Sequence, residues 1–135
     1  MRWSHVGLNC RDPQLTRDFY VRWFGFAPAR AVPAGGEKIL FIRKDNVYLE
    51  LFPSSSYAAG APAGGDGTEI PGVIRHIAFQ TDDVDAFLKE MGEAADVSLG
   101  PLDFSEFIAG WKTVWLRDPD GVVVEVSQGY RDEEN

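Results

Sequence analysis

The sequence has one cysteine in its 135 residues, Cys10, so an internal disulfide is excluded and a reducing compartment suits the chain. No basic cluster flanks Cys10 to lower its pKa, so it reads as a small buried hydrophobe of the first strand rather than a nucleophile. Basic residues are too few to balance the acidic ones. The net charge is −8 and the pI about 4.6. A polyanionic surface repels phosphate backbones and anionic lipid, so neither nucleic acid nor a membrane surface is an expected partner. No apolar run approaches the length of a bilayer span. Residues 3–9 already have a strand pattern and no signal peptide precedes them, so a cytoplasmic location is expected. What the chain does have is a core-forming composition, 44% apolar and 13% aromatic, at a length that suits one domain.

The chain also repeats itself. Residues 5–12 read His-Val-Gly-Leu-Asn-Cys-Arg-Asp, and residues 76–83 read His-Ile-Ala-Phe-Gln-Thr-Asp-Asp. The same 71 positions separate 5 from 76 and 12 from 83. Residues 43–52 (Arg-Lys-Asp-Asn-Val-Tyr-Leu-Glu-Leu-Phe) match residues 117–127 (Arg-Asp-Pro-Asp-Gly-Val-Val-Val-Glu-Val-Ser), with 75 positions between glutamates 50 and 125. Small insertions in the second half account for the difference. Each half carries one His near its start and one Glu near its end.

Pattern predicts an α+β fold of two tandem βαβββ modules. The first comprises residues 1–52: a strand over 3–9, a helix from Pro13 to about 24 with Asp12 as N-cap and Gly25 as its stop, and strands over 27–33, 38–43 and 47–52. Leu15, Phe19, Tyr20, Trp23 and Phe24 follow near-helical spacing. The second comprises residues 73–130: a strand over 73–80, a helix over 83–92 ending at Gly92, and strands over 95–99, 111–117 and 122–128. Turns fall at Gly35-Gly36, Asp45-Asn46 and Asp118-Pro119-Asp120-Gly121. Residues 53–72, rich in Pro, Ser, Ala and Gly, form a linker with Tyr57 as its only large residue. It is either a flexible connector or a segment that covers the site or crosses between subunits. Residues 100–110 form a second irregular stretch, in which Phe104, Phe107, Ile108 and the following Trp111 either wall a pocket or cover a core edge. Residues 131–135 are expected to fray.

Taken singly, His5, Glu50, His76 and Glu125 are ordinary strand residues. Together they are repeat-related. Alternation puts Glu50 on the face of Tyr48 and Phe52, and Glu125 with Val123 and Ser127. A carboxylate on an inner face needs a compensating partner, which a divalent cation supplies. Two imidazoles and two carboxylates suit Zn, Ni, Co, Fe or Mn, with open positions left for water or substrate. Arg75 is expected on the face opposite His76. Arg43 and Arg117 are expected to be structural, pairing with Asp45 and with Asp118 or Asp120.

This pattern resembles the vicinal oxygen chelate superfamily, which includes glyoxalase I, methylmalonyl-CoA epimerase, extradiol dioxygenases, and fosfomycin- and bleomycin-resistance proteins. The resemblance spans residues 3–128. It rests on His5-Val-Gly-Leu, Asp18-Phe-Tyr, the run from Asn46 to Phe52, Arg75-His76-Ile-Ala-Phe, and Asp118-Pro-Asp-Gly-Val-Val-Val-Glu125. It implies an open cupped mixed sheet around the metal and a homodimer, with the site within one chain or shared between subunits. Glu50 makes the ligand set closest to that of glyoxalase I. It implies a metal-dependent lyase or isomerase acting by Lewis-acid-assisted proton transfer on a small oxygenated substrate, with Glu125 or Glu50 as the base. Tyr48, Phe104 and Trp111 are the expected pocket residues. No set of basic residues suited to a glutathione carboxylate is present. Two alternatives stay open: an Fe(II) extradiol-type dioxygenase using two His and one Glu, and a bleomycin-resistance-like drug- or metabolite-binding protein without catalysis. In the latter, Trp3, Tyr48, Phe104, Trp111 and Trp115 would line the groove.

Overall fold

The computed structural model describes residues 1–56 and 64–134, which leaves Tyr57 and Asn135 outside the described residues. It divides into two compact units, Met1–Gly60 and Ala61–Asn135. Each is one βαβββ module built on an open four-stranded mixed sheet, so the fold is α+β.

In the first unit, β1 (His5–Cys10) leads into helix α1 (Pro13–Phe24), followed by β2 (Ala27–Ala34), β3 (Glu37–Lys44) and β4 (Val47–Pro53). The helix starts where capping chemistry places it. Asp12 accepts a hydrogen bond from the Gln14 N–H at 2.9 Å, and Pro13, which lacks an N–H, takes the first helical position. It stops at Gly25, whose φ of 73° suits glycine and whose N–H bonds the Tyr20 carbonyl. The buried stripe of α1 is Thr16, Tyr20 and Phe24, one residue every helical turn. Leu15, expected inward, is exposed instead. This stripe is the face that α1 lays on β3 and β4, and Tyr20 within it packs edge-on against Phe19 and Phe26, with centroids 5.1 and 5.9 Å away.

The sheet order is β1-β4-β3-β2, with β1 parallel to β4 and the other pairs antiparallel. Leu49 and Leu51 on β4 and Leu40 and Ile42 on β3 are buried, and α1 packs across these strands. Cys10 is also buried, in keeping with the structural role expected of it. Ile42 is fully buried, so Ile42→Ala is expected to cost about 2–5 kcal/mol in chemical denaturation, through lost burial and the cavity left behind. Glu50, Tyr48 and Phe52 alternate with the buried leucines and occupy the opposite face, half-buried.

The second unit repeats the plan with β5 (Ile77–Gln80), α2 (Val84–Met91), a short 3₁₀ turn (Gly92–Ala94), β6 (Val97–Asp103), β7 (Lys112–Arg117) and β8 (Val123–Gln128). The order is β5-β8-β7-β6, again with only the first pair parallel. Asp83, the repeat counterpart of Asp12, caps α2 by accepting from the Ala86 N–H at 2.9 Å. The Gln128 side chain accepts from the Val84 N–H at 2.7 Å and ties the helix start to β8. Between β7 and β8, one Asp118 carboxylate oxygen accepts the N–H groups of Asp120 and Val122, both at 2.9 Å, which fixes the turn.

Several boundaries move. Residues 73–76 precede the strand, which begins at Ile77. The strand predicted over 95–99 lies at Val97–Asp103, with register shifts along its pairing to β7. The linker starts later than residue 53, since Pro53 still belongs to β4. Arg43 donates to the Asp45 carbonyl, and Arg117 donates to the Asp96 carboxylate at 3.1 Å. Among the described residues no helix is long and apolar enough to cross a membrane.

Candidate metal centre

In the structure His5 meets Glu50 and His76 meets Glu125, one pair in each unit. His5 Nε2 lies 3.0 Å from Glu50 Oε2, and His76 Nε2 lies 2.7 Å from Glu125 Oε2. The register explains both. On the parallel pair β1–β4, Gly7 faces Glu50, and on β5–β8, Ala78 faces Glu125. Each His sits two residues before that small residue, hence on the same face of the sheet.

The third strand completes the equivalence. Phe41 on β3 lies directly opposite Glu50, and Trp115 on β7 directly opposite Glu125. The Phe41 ring stands 6.4 Å from His5 and the Trp115 ring 6.5 Å from His76, both edge-to-face. Each glutamate is thus set between a His and an aromatic ring. Side-chain exposure is 43% for His5 and 18% for Glu50, against 22% for His76 and 16% for Glu125, so the second pair is the more enclosed.

The second pair is also the more constrained. His76 Nδ1 lies 2.7 Å from the backbone carbonyl of Asp66. A carbonyl oxygen only accepts, so Nδ1 carries a proton and donates it. Nε2, facing the Glu125 carboxylate, then holds either a second proton or a lone pair. Two lone pairs at 2.7 Å repel, so a cation belongs with them, either a proton or a metal ion. Both separations are ordinary hydrogen-bond distances, and two donors bonded at about 2.1 Å to one tetrahedral cation stand about 3.4 Å apart, so each pair would open slightly around a metal ion. A backbone carbonyl holding the far nitrogen of a ligating imidazole is also the usual support of such a ligand. At His5, by contrast, Nδ1 lies 2.9 Å from the Ser4 hydroxyl, which can donate or accept and so fixes no tautomer. Among the described residues no group of three or more His, Cys, Asp or Glu side chains gathers. What forms is the two pairs.

The Asp66 carbonyl was not visible to sequence reasoning, which treated 53–72 as linker. Residues 64–67 are docked on the second unit. Arg75 donates to the Asp66 carboxylate at 2.9 Å, Ser98 Oγ donates to the Gly65 carbonyl at 2.7 Å, and the Gly67 N–H bonds the Gly64 carbonyl at 3.0 Å. Arg75, expected on the face opposite His76, is half of this clasp. The only advance signal was the density of glycine around Asp66, which permits close backbone approach.

The expected pocket residues fall as follows. Tyr48 is half-buried and pairs in register with His5. Phe104 and Trp111 stack on one another with centroids 4.9 Å apart, and Phe104 also reaches Trp115 at 6.4 Å. Trp111 continues to Tyr130 at 5.9 Å and donates its indole N–H to Ser127 Oγ at 3.2 Å. The segment carrying Phe104 is pinned by its N–H bond to the Trp111 carbonyl at 2.8 Å. The Ser105 hydroxyl and N–H beside it hold the Asp103 carboxyl below its ordinary range. Trp3 and Phe107 are exposed.

Comparison with known proteins agrees with this architecture. A family model, the Glyoxalase/Bleomycin resistance protein/Dioxygenase superfamily, matches residues 2–126. A glyoxalase/dioxygenase from Nostoc punctiforme superposes with a TM-score of 0.71 at 24% identity, covering 94% of this chain and 90% of that one. A glyoxalase family protein from Enterococcus faecalis gives 0.66 at 30% identity over 91% and 94%. A lactoylglutathione lyase from Agrobacterium tumefaciens gives 0.60 at 25% identity over 93% and 92%. No curated protein matches the chain in sequence. With the model matching nearly its whole length, the chain belongs to the glyoxalase/bleomycin resistance protein/dioxygenase superfamily.

Proposed function

We propose that the protein is a metal-dependent lyase or isomerase of the glyoxalase type, in which His5, Glu50, His76 and Glu125 together hold one divalent cation. The observation that carries this reading is the equivalence of the two pairs, which match in residue type, register and aromatic neighbour. Two donors are too few for a stable site, and two equivalent pairs supply four. That Glu50 is held against His5 as Glu125 is against His76 favours this set over the two-His, one-Glu set of a dioxygenase. Zn, Ni, Co, Fe or Mn suits the donors, and superfamily members typically bind a divalent metal.

A cation held there would supply Lewis acidity, polarising a substrate carbonyl and lowering the energy of the oxyanion formed from it. The chain's own residues do the rest. Glu125, or Glu50, takes the proton from the carbon beside that carbonyl and returns it to the neighbouring carbon. The Asp66 carbonyl holds His76 in one tautomer. Tyr48, Phe104 and Trp111 exclude water from the apolar part of a small oxygenated substrate. The reading includes a homodimer and a cytoplasmic location. A second reading, a drug- or metabolite-binding protein without catalysis, draws support from the row of rings Trp115, Phe104, Trp111 and Tyr130.

Metal uptake separates these readings. Purified protein is expected to bind one zinc per chain, measured by mass spectrometry of metal content. Zinc at a hundred times its dissociation constant is expected to stabilise the fold by about 2.7 kcal/mol. His5→Ala and His76→Ala should each abolish tight binding if the pairs act jointly. Retention of a tight site in either variant would refute the joint centre. A screen of hemithioacetals, acyl-CoA thioesters and catechols, run with and without oxygen, then assigns the reaction. Oxygen-dependent turnover of a catechol would favour the dioxygenase. A failure of the protein to take up Zn, Ni, Co, Fe or Mn would favour the binding protein.

A further inference from the structure

Trp115 stands directly opposite Glu125 on the antiparallel pair β7–β8, so its indole shares a face of the sheet with that carboxylate. The ring is 6% exposed and lies between His76 and Phe104. Its Nε1–H has no hydrogen-bond partner among the described residues. A buried donor left unpaired costs about 1–3 kcal/mol, and buried indoles normally find an acceptor. The nearby Trp111 does so, through Ser127.

The first module shows what packing alone requires at this position. Its counterpart there is Phe41, which sets a ring edge-to-face with His5 at almost the same distance and carries no donor. An aromatic ring is therefore the common structural element, and the N–H is an addition confined to the second module. A phenylalanine would pack the same face without burying a polar atom.

We infer that the Trp115 indole N–H is a ligand-binding donor. It gives a hydrogen bond to an acceptor oxygen (carbonyl, carboxylate or enolate) of the small molecule bound beside His76 and Glu125. It thereby selects oxygenated ligands whose apolar part packs on Phe104. The inference rests on the metal-centre reading above and adds a specificity-determining residue to it. Trp115 Nε1 is covered in this structure, so a ligand oxygen meets it by displacing the groups over it; once met, a donor in so buried a setting favours ligands that carry or develop negative charge on that oxygen.

Benzohydroxamate, an aromatic oxygen chelator, serves as the probe with zinc-loaded protein. The four tryptophans give four indole cross-peaks in ¹⁵N-labelled protein, and the one lost in Trp115→Phe identifies Trp115. On titration, its indole proton is expected to move downfield. Trp115→Phe should bind benzohydroxamate about tenfold more weakly while its zinc affinity is unchanged. If that variant fails to fold, 3-benzothienylalanine at position 115 replaces the N–H by sulfur at the same ring size and carries the comparison. Zinc uptake by the wild-type protein, with equal benzohydroxamate affinity in wild type and variant or with none in either, overturns the role of Trp115 alone. No zinc uptake by the wild-type protein overturns it together with the metal centre.

Discussion

Glu125→Gln is expected to lower turnover by about 10²–10⁴-fold, the usual contribution of a positioned general base, while most of the metal is retained. Glutamine has the length and one of the oxygen donors of glutamate, and the site that receives it is shaped by its neighbours. Ala78 lies opposite on β5, Trp115 opposite on β7, and Val124 and Val126 anchor β8 in the core on either side. What the substitution removes is the ability to accept a proton. Parallel measurement of kcat and zinc content on the substrate found by screening distinguishes the two effects. A loss of metal in proportion to turnover would make Glu125 a ligand only. Unchanged turnover would remove it from the chemistry. Glu50→Gln is the matched comparison, because Glu50 occupies the same register position against His5. The proton-transfer residue is the glutamate whose variant loses turnover while keeping metal.

The parts of the fold that were legible in the sequence are those governed by short-range rules. Asp12-Pro13 starts α1, Gly25 ends it, and the turns at 35–36, 45–46 and 118–121 fall where their residues demand. The relation between His5, Glu50, His76 and Glu125 was legible for another reason. The repeat relates residues 5 and 50 to residues 76 and 125, and parallel pairing of the first and last strands of each module brings the members together. What the sequence could not show depends on contacts at long range with no periodic signature. Thr16, not Leu15, faces the core because α1 lays the stripe Thr16, Tyr20 and Phe24 on β3 and β4. Arg117 reaches Asp96 across the sheet edge, although three acidic or turn-forming residues follow it directly in the chain. The Asp66 carbonyl is a backbone acceptor, and no side-chain pattern announces a backbone group.

That carbonyl gives the second large prediction. Gly67 has a φ of 115°, a conformation natural only to glycine, and a Cβ at this position would overlap the carbonyl of Arg75. Gly67→Ala must therefore lift the 64–67 turn away from residue 75. The same movement breaks the hydrogen bond from His76 Nδ1 to the Asp66 carbonyl and strains those from Arg75 to Asp66 and from Ser98 to Gly65. Stability is expected to fall by about 2–3 kcal/mol in chemical denaturation. Zinc affinity should fall by about 10–100-fold, the usual effect of removing the partner that orients a ligating imidazole. Asp66→Ala is the control that separates carbonyl from carboxylate. It keeps the backbone acceptor and deletes a half-exposed ion pair with Arg75, worth about 0–1 kcal/mol, so its zinc affinity should stay near that of the wild type. Imidazole ¹⁵N shifts report the tautomer directly. In the wild type the proton belongs on Nδ1 of His76, and in Gly67→Ala that preference should be lost. Wild-type zinc affinity in a folded Gly67→Ala protein would show that the turn does not orient His76, and the enclosure of the second pair would then derive from β5, β7 and β8 alone.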